Sequence, residues 1–181
     1  MARNKYVRDY RLVEYISETG RVKTEYEYIG AHYYYTAPRE TVARARIAVL
    51  AALAVGWLAF VGALIPVSAA MHTYYISFPF LFAALPLGIL TDLCLSTLFL
   101  KEPLEHRHAD KLQNRYPPAC LAAAILSGAA LMAELISLLI RGSASPGGDA
   151  VFCVCACCIS AAAIFVFAKR GSFAAEADKP T

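Results

Sequence analysis

The chain is short of charge. Asp, Glu, Lys and Arg together make up 17% of its 181 residues, where a soluble domain carries about 25%. It also lacks the short motifs that announce common chemistries: there is no P-loop, no G-x-S-x-G, no H-E-x-x-H and no dinucleotide fingerprint. Nothing at the start reads as a cleaved secretory signal, because the first 46 residues are polar and charged rather than a short basic run followed by an apolar one. The first apolar run is therefore expected to act as its own uncleaved anchor. A disulfide framework is missing too. Cys94, Cys120, Cys153, Cys155, Cys157 and Cys158 all fall within or at the edges of apolar runs, where a thiol behaves as a small apolar residue.

What is present is apolar and comes in blocks. Hydrophobic residues account for 59% of the chain, with a mean hydropathy of +0.49. Four nearly uncharged runs stand at about 47–65, 78–100, 118–140 and 150–168. Each is about 20 residues long, which at 1.5 Å per residue matches a hydrocarbon core about 30 Å thick. The expected fold class is an all-α membrane protein of four transmembrane helices. Residues 1–37 form an N-terminal segment, 38–168 the membrane domain and 169–181 a disordered polar tail.

Within the N-terminal segment, Asp9–Ser17 and Arg21–Ile29 are rich in Tyr, Val and Ile, which favour strands. Val22, Thr24, Tyr26 and Tyr28 alternate with Lys23, Glu25 and Glu27, a period of two. Glu18-Thr19-Gly20 supplies a turn in which Gly20 can take positive φ. This predicts a β-hairpin, with Tyr33-Tyr34-Tyr35 as a short third strand or a segment on the membrane surface. A hairpin of this size is marginal alone, so Tyr26, Tyr28 and Tyr34 are candidates for contact with a partner, against the simpler reading of an interfacial tyrosine belt.

Thr36 and Pro38 mark a helix start, and Pro66 closes the first span. Ala48, Ala52 and Gly56 recur at four-residue spacing, as do Ala129, Ala133 and Ser137. Ala124 and Gly128 make another close-approach pair. In the second span Pro86 removes a backbone donor and is the candidate hinge. Between spans two and three, Leu104, His108, Leu112 and Tyr116 form one stripe and Arg107, Lys111 and Arg115 another. That pattern predicts a short helix lying in the headgroup layer, with the three cations on lipid headgroups.

Lys and Arg are distributed very unevenly. All 17 except Arg141 precede span one, lie between spans two and three or follow span four. The cytoplasmic side carries such an excess, so both termini and the middle loop are expected inside. Span topology already accounts for these cations, which argues against a nucleic-acid site. Ala-rich spans and compact loops suggest a bacterial cytoplasmic membrane.

Asp92 and Glu134 are the acids inside the spans. A charge near mid-bilayer costs at least about 2.5–3.5 kcal/mol, which makes each a functional candidate. Asp92 lies about 12 Å from the inner end of its span and Glu134 about 9 Å from the outer end of its own, so their depths differ by about 9 Å. They could relay protons or a cation; the simpler reading is that each hydrogen-bonds locally, to Thr91 or Ser137, and locks helices together. Glu105, His106, His108 and Asp110 match metal ligands in type but not in spacing. The cysteines of span four lie on one helix and cannot surround a metal. No metal or cofactor is expected.

Three functions follow in order of support. The first is a non-enzymatic accessory or scaffold subunit, whose partners are the lipid bilayer and another membrane protein or a second copy. The second is a small oligomeric transporter or channel using Asp92 and Glu134, with Pro86 as hinge. The third is a lipid-acting membrane enzyme with its site on the middle loop.

Overall fold

The computed structural model describes residues 7–16, 22–65, 69–98, 100, 103–143 and 145–177. The proposed turn at Glu18–Gly20 and the span-closing Pro66 lie outside them.

The expected hairpin is present. Strands β1 (Tyr10–Ile16) and β2 (Val22–Tyr28) pair antiparallel, with Tyr10 opposite Tyr28 and Leu12 opposite Tyr26. Side chains alternate across a strand, so these four share one face. Strand β3 (His32–Tyr35) does not join the hairpin. It pairs antiparallel with β4 (Leu104–Glu105) on one side and β5 (Ala175–Ala177) on the other. The small second sheet thus ties together the segments before span one, before span three and after span four.

Among the described residues, four helices are long and apolar enough to cross a membrane. The first is α1 (Arg39–Leu64), opening after Pro38 as the sequence indicates. Next come α2 (Tyr74–Phe82) and α3 (Ala84–Leu93), prolonged by an i→i+5 turn over Cys94–Leu98. The third runs through α4 (His106–Asp110), a second i→i+5 turn and α5 (Tyr116–Arg141). The last is α6 (Pro146–Ala168). Helix α6 packs between α1 and α5, and α5 in turn holds α2 and α3.

The buried positions recur every three to four residues, as a helix face requires: Val42, Ala45, Val49, Leu53, Gly56, Phe60 and Ala63 in α1. Phe80 lies at the heart of the bundle, its ring centroid 5.1 Å from Phe60 and 4.9 Å from Phe152. Gly56 is buried facing α3, where a Cβ would make ordinary contact with Leu87 at 3.6 Å. Outward faces are apolar rather than polar; Leu58 is 73% and Leu139 86% exposed.

Three expectations need correction. The helix between spans two and three does not lie apart as an interfacial element. It runs on into α5 as one 36-residue helix, His106–Arg141. Pro117 and Pro118 lack the N–H groups that an α-helical register would need there. The chain accommodates them by widening the turn over Lys111–Arg115, and the Tyr116 N–H reaches back to the Lys111 carbonyl. The second correction concerns the segment from Lys169. It was expected to be disordered, yet through Ala177 it folds back as a 3₁₀ turn (Lys169–Phe173) and β5. Phe173 is buried with its ring against Tyr116, and the Thr36 N–H donates to the Ala174 carbonyl at 3.0 Å. The third is the position of the break in span two. It falls at Ala83 rather than at Pro86 itself. Pro86 cannot donate to the carbonyl four residues earlier, at Phe82, and its ring crowds that carbonyl, so the helix divides one residue later.

Candidate functional site

The hairpin is docked at the end of the bundle that carries the β4–β3–β5 sheet. Gly30 makes this possible, since a Cβ there would lie 2.5 Å from the Tyr28 hydroxyl. With that space open, Tyr28 donates to the Ala31 carbonyl at 2.8 Å and accepts from the His106 N–H at 2.8 Å. The His106 amide is one of the unpaired donors of a helix start, so Tyr28 caps α4. The His106 ring stacks on Tyr33 with centroids 5.7 Å apart, and its Nδ1 lies 3.1 Å from the Asp9 carboxylate. Tyr10 donates to the Glu105 carboxylate at 2.6 Å. That bond, helped by partial burial, pushes the Tyr10 hydroxyl up to about 12. Burial likewise raises Tyr28, against the opposing effect of the His106 N–H.

Beyond these contacts the hairpin and the helix diverge, and a cleft of about 700 Å³ opens between them. Its helix wall is Arg107, Lys111 and Arg115. The wider i→i+5 turn offsets the drift of an α-helix, so the three cations keep to one face. Its hairpin wall is Tyr10, Leu12 and Tyr26, with Val7 at the edge. Leu12 is 52% and Tyr26 72% exposed, although both face into a concavity. Among the described residues none of the three cations is within ion-pair distance of an acid.

The predicted residues therefore separate. Tyr26 and the cations Arg107, Lys111 and Arg115, which were assigned to different partners, share one cleft. Tyr28 is taken up in holding the hairpin, and Tyr34 lies on β3, 41% exposed and away from the cleft walls. Asp92 and Glu134 do not come together. Asp92 is exposed on the outer side of α3, without a hydrogen bond or ion pair to any described residue. Its neighbour Thr91 is the one engaged, accepting from the Trp57 indole N–H at 2.9 Å and donating to the Leu87 carbonyl. Glu134 is buried inside the bundle within electrostatic reach of Asp149. Asp149 in turn accepts from the Ser143 hydroxyl at 2.7 Å and the Ser145 N–H at 3.3 Å, which fixes the start of α6. Pro86 is buried against the bundle.

Among the described residues no group of His, Cys, Asp and Glu is placed to hold a metal ion. His108 approaches Glu105 at 3.8 Å, while His106 turns to Asp9. Cys94 and Cys120 are buried packing residues.

Sequence reading missed Asp9, Tyr10, Leu12 and Asp149. Tyr10 and Leu12 had a usable signal, because pairing the predicted strands around the proposed turn places them opposite Tyr28 and Tyr26 on the tyrosine face. Asp149 carried a weaker one, an acid four residues after Ser145 at a helix start. Asp9 had none, since its contact with His106 spans 97 residues of sequence.

Compared with known families, with curated proteins and with solved structures, the chain matches none.

Proposed function

We propose that the chain is a non-enzymatic, four-span integral membrane protein that works as an accessory or scaffold subunit. The observation that carries this reading is Asp92. It sits on an outward, otherwise apolar face among exposed Leu85, Ile89 and Leu95. A carboxylate facing hydrocarbon costs at least about 2.5–3.5 kcal/mol. A neighbouring helix that brings a cation or a hydroxyl to this face removes that cost, and the four spans of the chain itself do not reach it. The partner is another membrane protein or a second copy.

Orientation follows the same logic. The β4–β3–β5 sheet joins the three segments that, with the short strand-pairing hairpin, carry all of the lysines and arginines except Arg141. An end so rich in cations belongs on the cytoplasmic side, so both termini are inside, in a bacterial cytoplasmic membrane. The separation of Asp92 from Glu134 favours this reading over a conduction path through one copy of the chain.

The test is purification in mild detergent from the native cells followed by native mass spectrometry. A stoichiometric protein partner, or a homo-oligomer, should be recovered with the natural chain and lost with Asp92→Leu. An assembly unchanged by Asp92→Leu would sink the reading.

A further inference from the structure

We infer that the cleft between the hairpin and the start of the third membrane helix is a binding site for the headgroup of an anionic phospholipid. Three observations converge on it. Arg107, Lys111 and Arg115 line one wall at four-residue spacing, and none has an acidic partner among the described residues. Arg115 stands three residues before Pro118, where the third apolar run begins, so the lower end of the row is at the membrane surface. The row then climbs about 12 Å along the helix to Arg107. A flat interfacial helix would hold all three cations at one depth; the upright one stacks them as a ladder that starts at Arg115 in the headgroup layer.

The opposite wall explains why this is a site and not a basic stripe. Leu12 and Tyr26 form an exposed cross-strand pair on the face turned toward the cations. An apolar wall beside a cation row lowers the local dielectric and strengthens each contact to a phosphate. The concavity, about 700 Å³, is large enough for a headgroup, since small-molecule sites run from about 300 to 1,000 Å³. Net negative charge on the ligand is required, so phosphatidylglycerol or cardiolipin fits and a zwitterionic lipid does not. Bound lipid would bridge hairpin and bundle and fix the tyrosine face relative to the membrane. This inference rests on the membrane placement proposed above but not on the existence of a protein partner.

The test titrates the purified full-length protein in detergent with phosphatidylglycerol and, separately, phosphatidylcholine, reading bound lipid by native mass spectrometry. Phosphatidylglycerol should bind selectively. Removing a cation should weaken it about fivefold, and Arg107→Gln, Lys111→Gln and Arg115→Gln together about a hundredfold. Leu12→Ser with Tyr26→Ser should weaken it several-fold without touching any charge. Arg44→Gln with Lys169→Gln, cations on other helices, should leave it unchanged. If the triple variant fails to fold by circular dichroism, Lys111→Gln alone reads the fivefold effect. Equal loss in the Arg44 and Lys169 control would show unspecific charge attraction and overturn the site. So would binding that ignores Leu12 and Tyr26. Inorganic phosphate competing at concentrations similar to the lipid would assign the cleft to a soluble anion and overturn the lipid. A chain that recovers no protein partner yet keeps the lipid selectivity leaves this site standing while the subunit reading falls.

Discussion

Along the α5–α6 seam, several polar side chains are bonded within the chain. Ser127 and Ser160 meet at 2.8 Å, the Tyr116 hydroxyl donates to the Val166 carbonyl at 3.0 Å, and Asp149 holds Ser143 and Ser145. On the outer side of α3 and in the hairpin cleft, charged side chains are presented outward instead. Asp92 has no partner among the described residues, and Arg107, Lys111 and Arg115 face open space. The seam uses its polar groups to fix one packing of the helices. The outward groups have no such role in that packing, and on the proposed reading they are where a neighbouring helix and a lipid headgroup meet the chain.

The sharpest way to break this contrast is Asp92→Leu. Removing one side of a desolvated charge pair costs about 3–5 kcal/mol, so the complex should weaken by more than a hundredfold. The isolated chain should unfold at an unchanged denaturant concentration, since no described residue depends on Asp92. Measuring assembly and unfolding on the same variant separates the two. A large loss of fold stability would move Asp92 to the inward class.

Asp149→Ala is the converse experiment on the seam. It leaves the exposed Ser143 hydroxyl and the half-buried Ser145 N–H without their acceptor at the start of α6. Loss of a side-chain acceptor at a helix start costs about 0.5–2 kcal/mol. Unfolding should show that loss, and recovery of partners should not change beyond what the destabilisation explains.

How far the contrast could be read beforehand depends on geometry. Apolar run lengths located the four long apolar helices, and alternation in Val22–Tyr28 located the hairpin, because both are local signals. Which side of a helix faces the bundle is not local in the same way. Asp92 and Glu134 look alike in sequence, and only the packing of α3 and α5 turns one outward and the other inward. The cleft was legible by halves: the cation row and the tyrosine strand were both visible, but their meeting depends on Gly30, which lets Tyr28 fold onto the start of α4. The continuity of that helix with α5 was hidden because Pro117 and Pro118 lack the N–H groups of an α-helical register, a loss that a widened turn absorbs.

The hairpin contacts provide a pH-dependent test of the boundary between the two classes. Tyr10 is raised by its bond to Glu105 from an ordinary value near 10 to about 12. A group raised on docking contributes below its undocked value and loses that contribution as pH rises through the docked one. Docking of the hairpin should therefore hold below pH 10 and weaken toward about 12. Labels at Val22 and Asn114 would report the distance by spin resonance. In Tyr10→Phe the distance should be larger already at neutral pH and should respond less between those values.

The smallest effect is expected where the seam looks most polar. One of the Ser127 and Ser160 hydroxyls donates to the other, and each also has a carbonyl acceptor on its own helix, Ala123 at 2.7 Å for Ser127 and Ala156 at 3.1 Å for Ser160. Losing the partner hydroxyl therefore leaves neither donor orphaned. A double-mutant cycle with Ser127→Ala and Ser160→Ala should give a coupling of about 0.6 kcal/mol, the usual size for an interhelical hydrogen bond between membrane helices. Gly128 lies beside the pair, and a Cβ there would make only ordinary contact with the Ser160 oxygen at 3.8 Å, so the seam does not depend on a backbone approach that excludes a side chain at this point. A coupling well above about 1.7 kcal/mol would mean that the hydroxyl pair itself organises α5 against α6, and that the inward polar groups do more than satisfy one another.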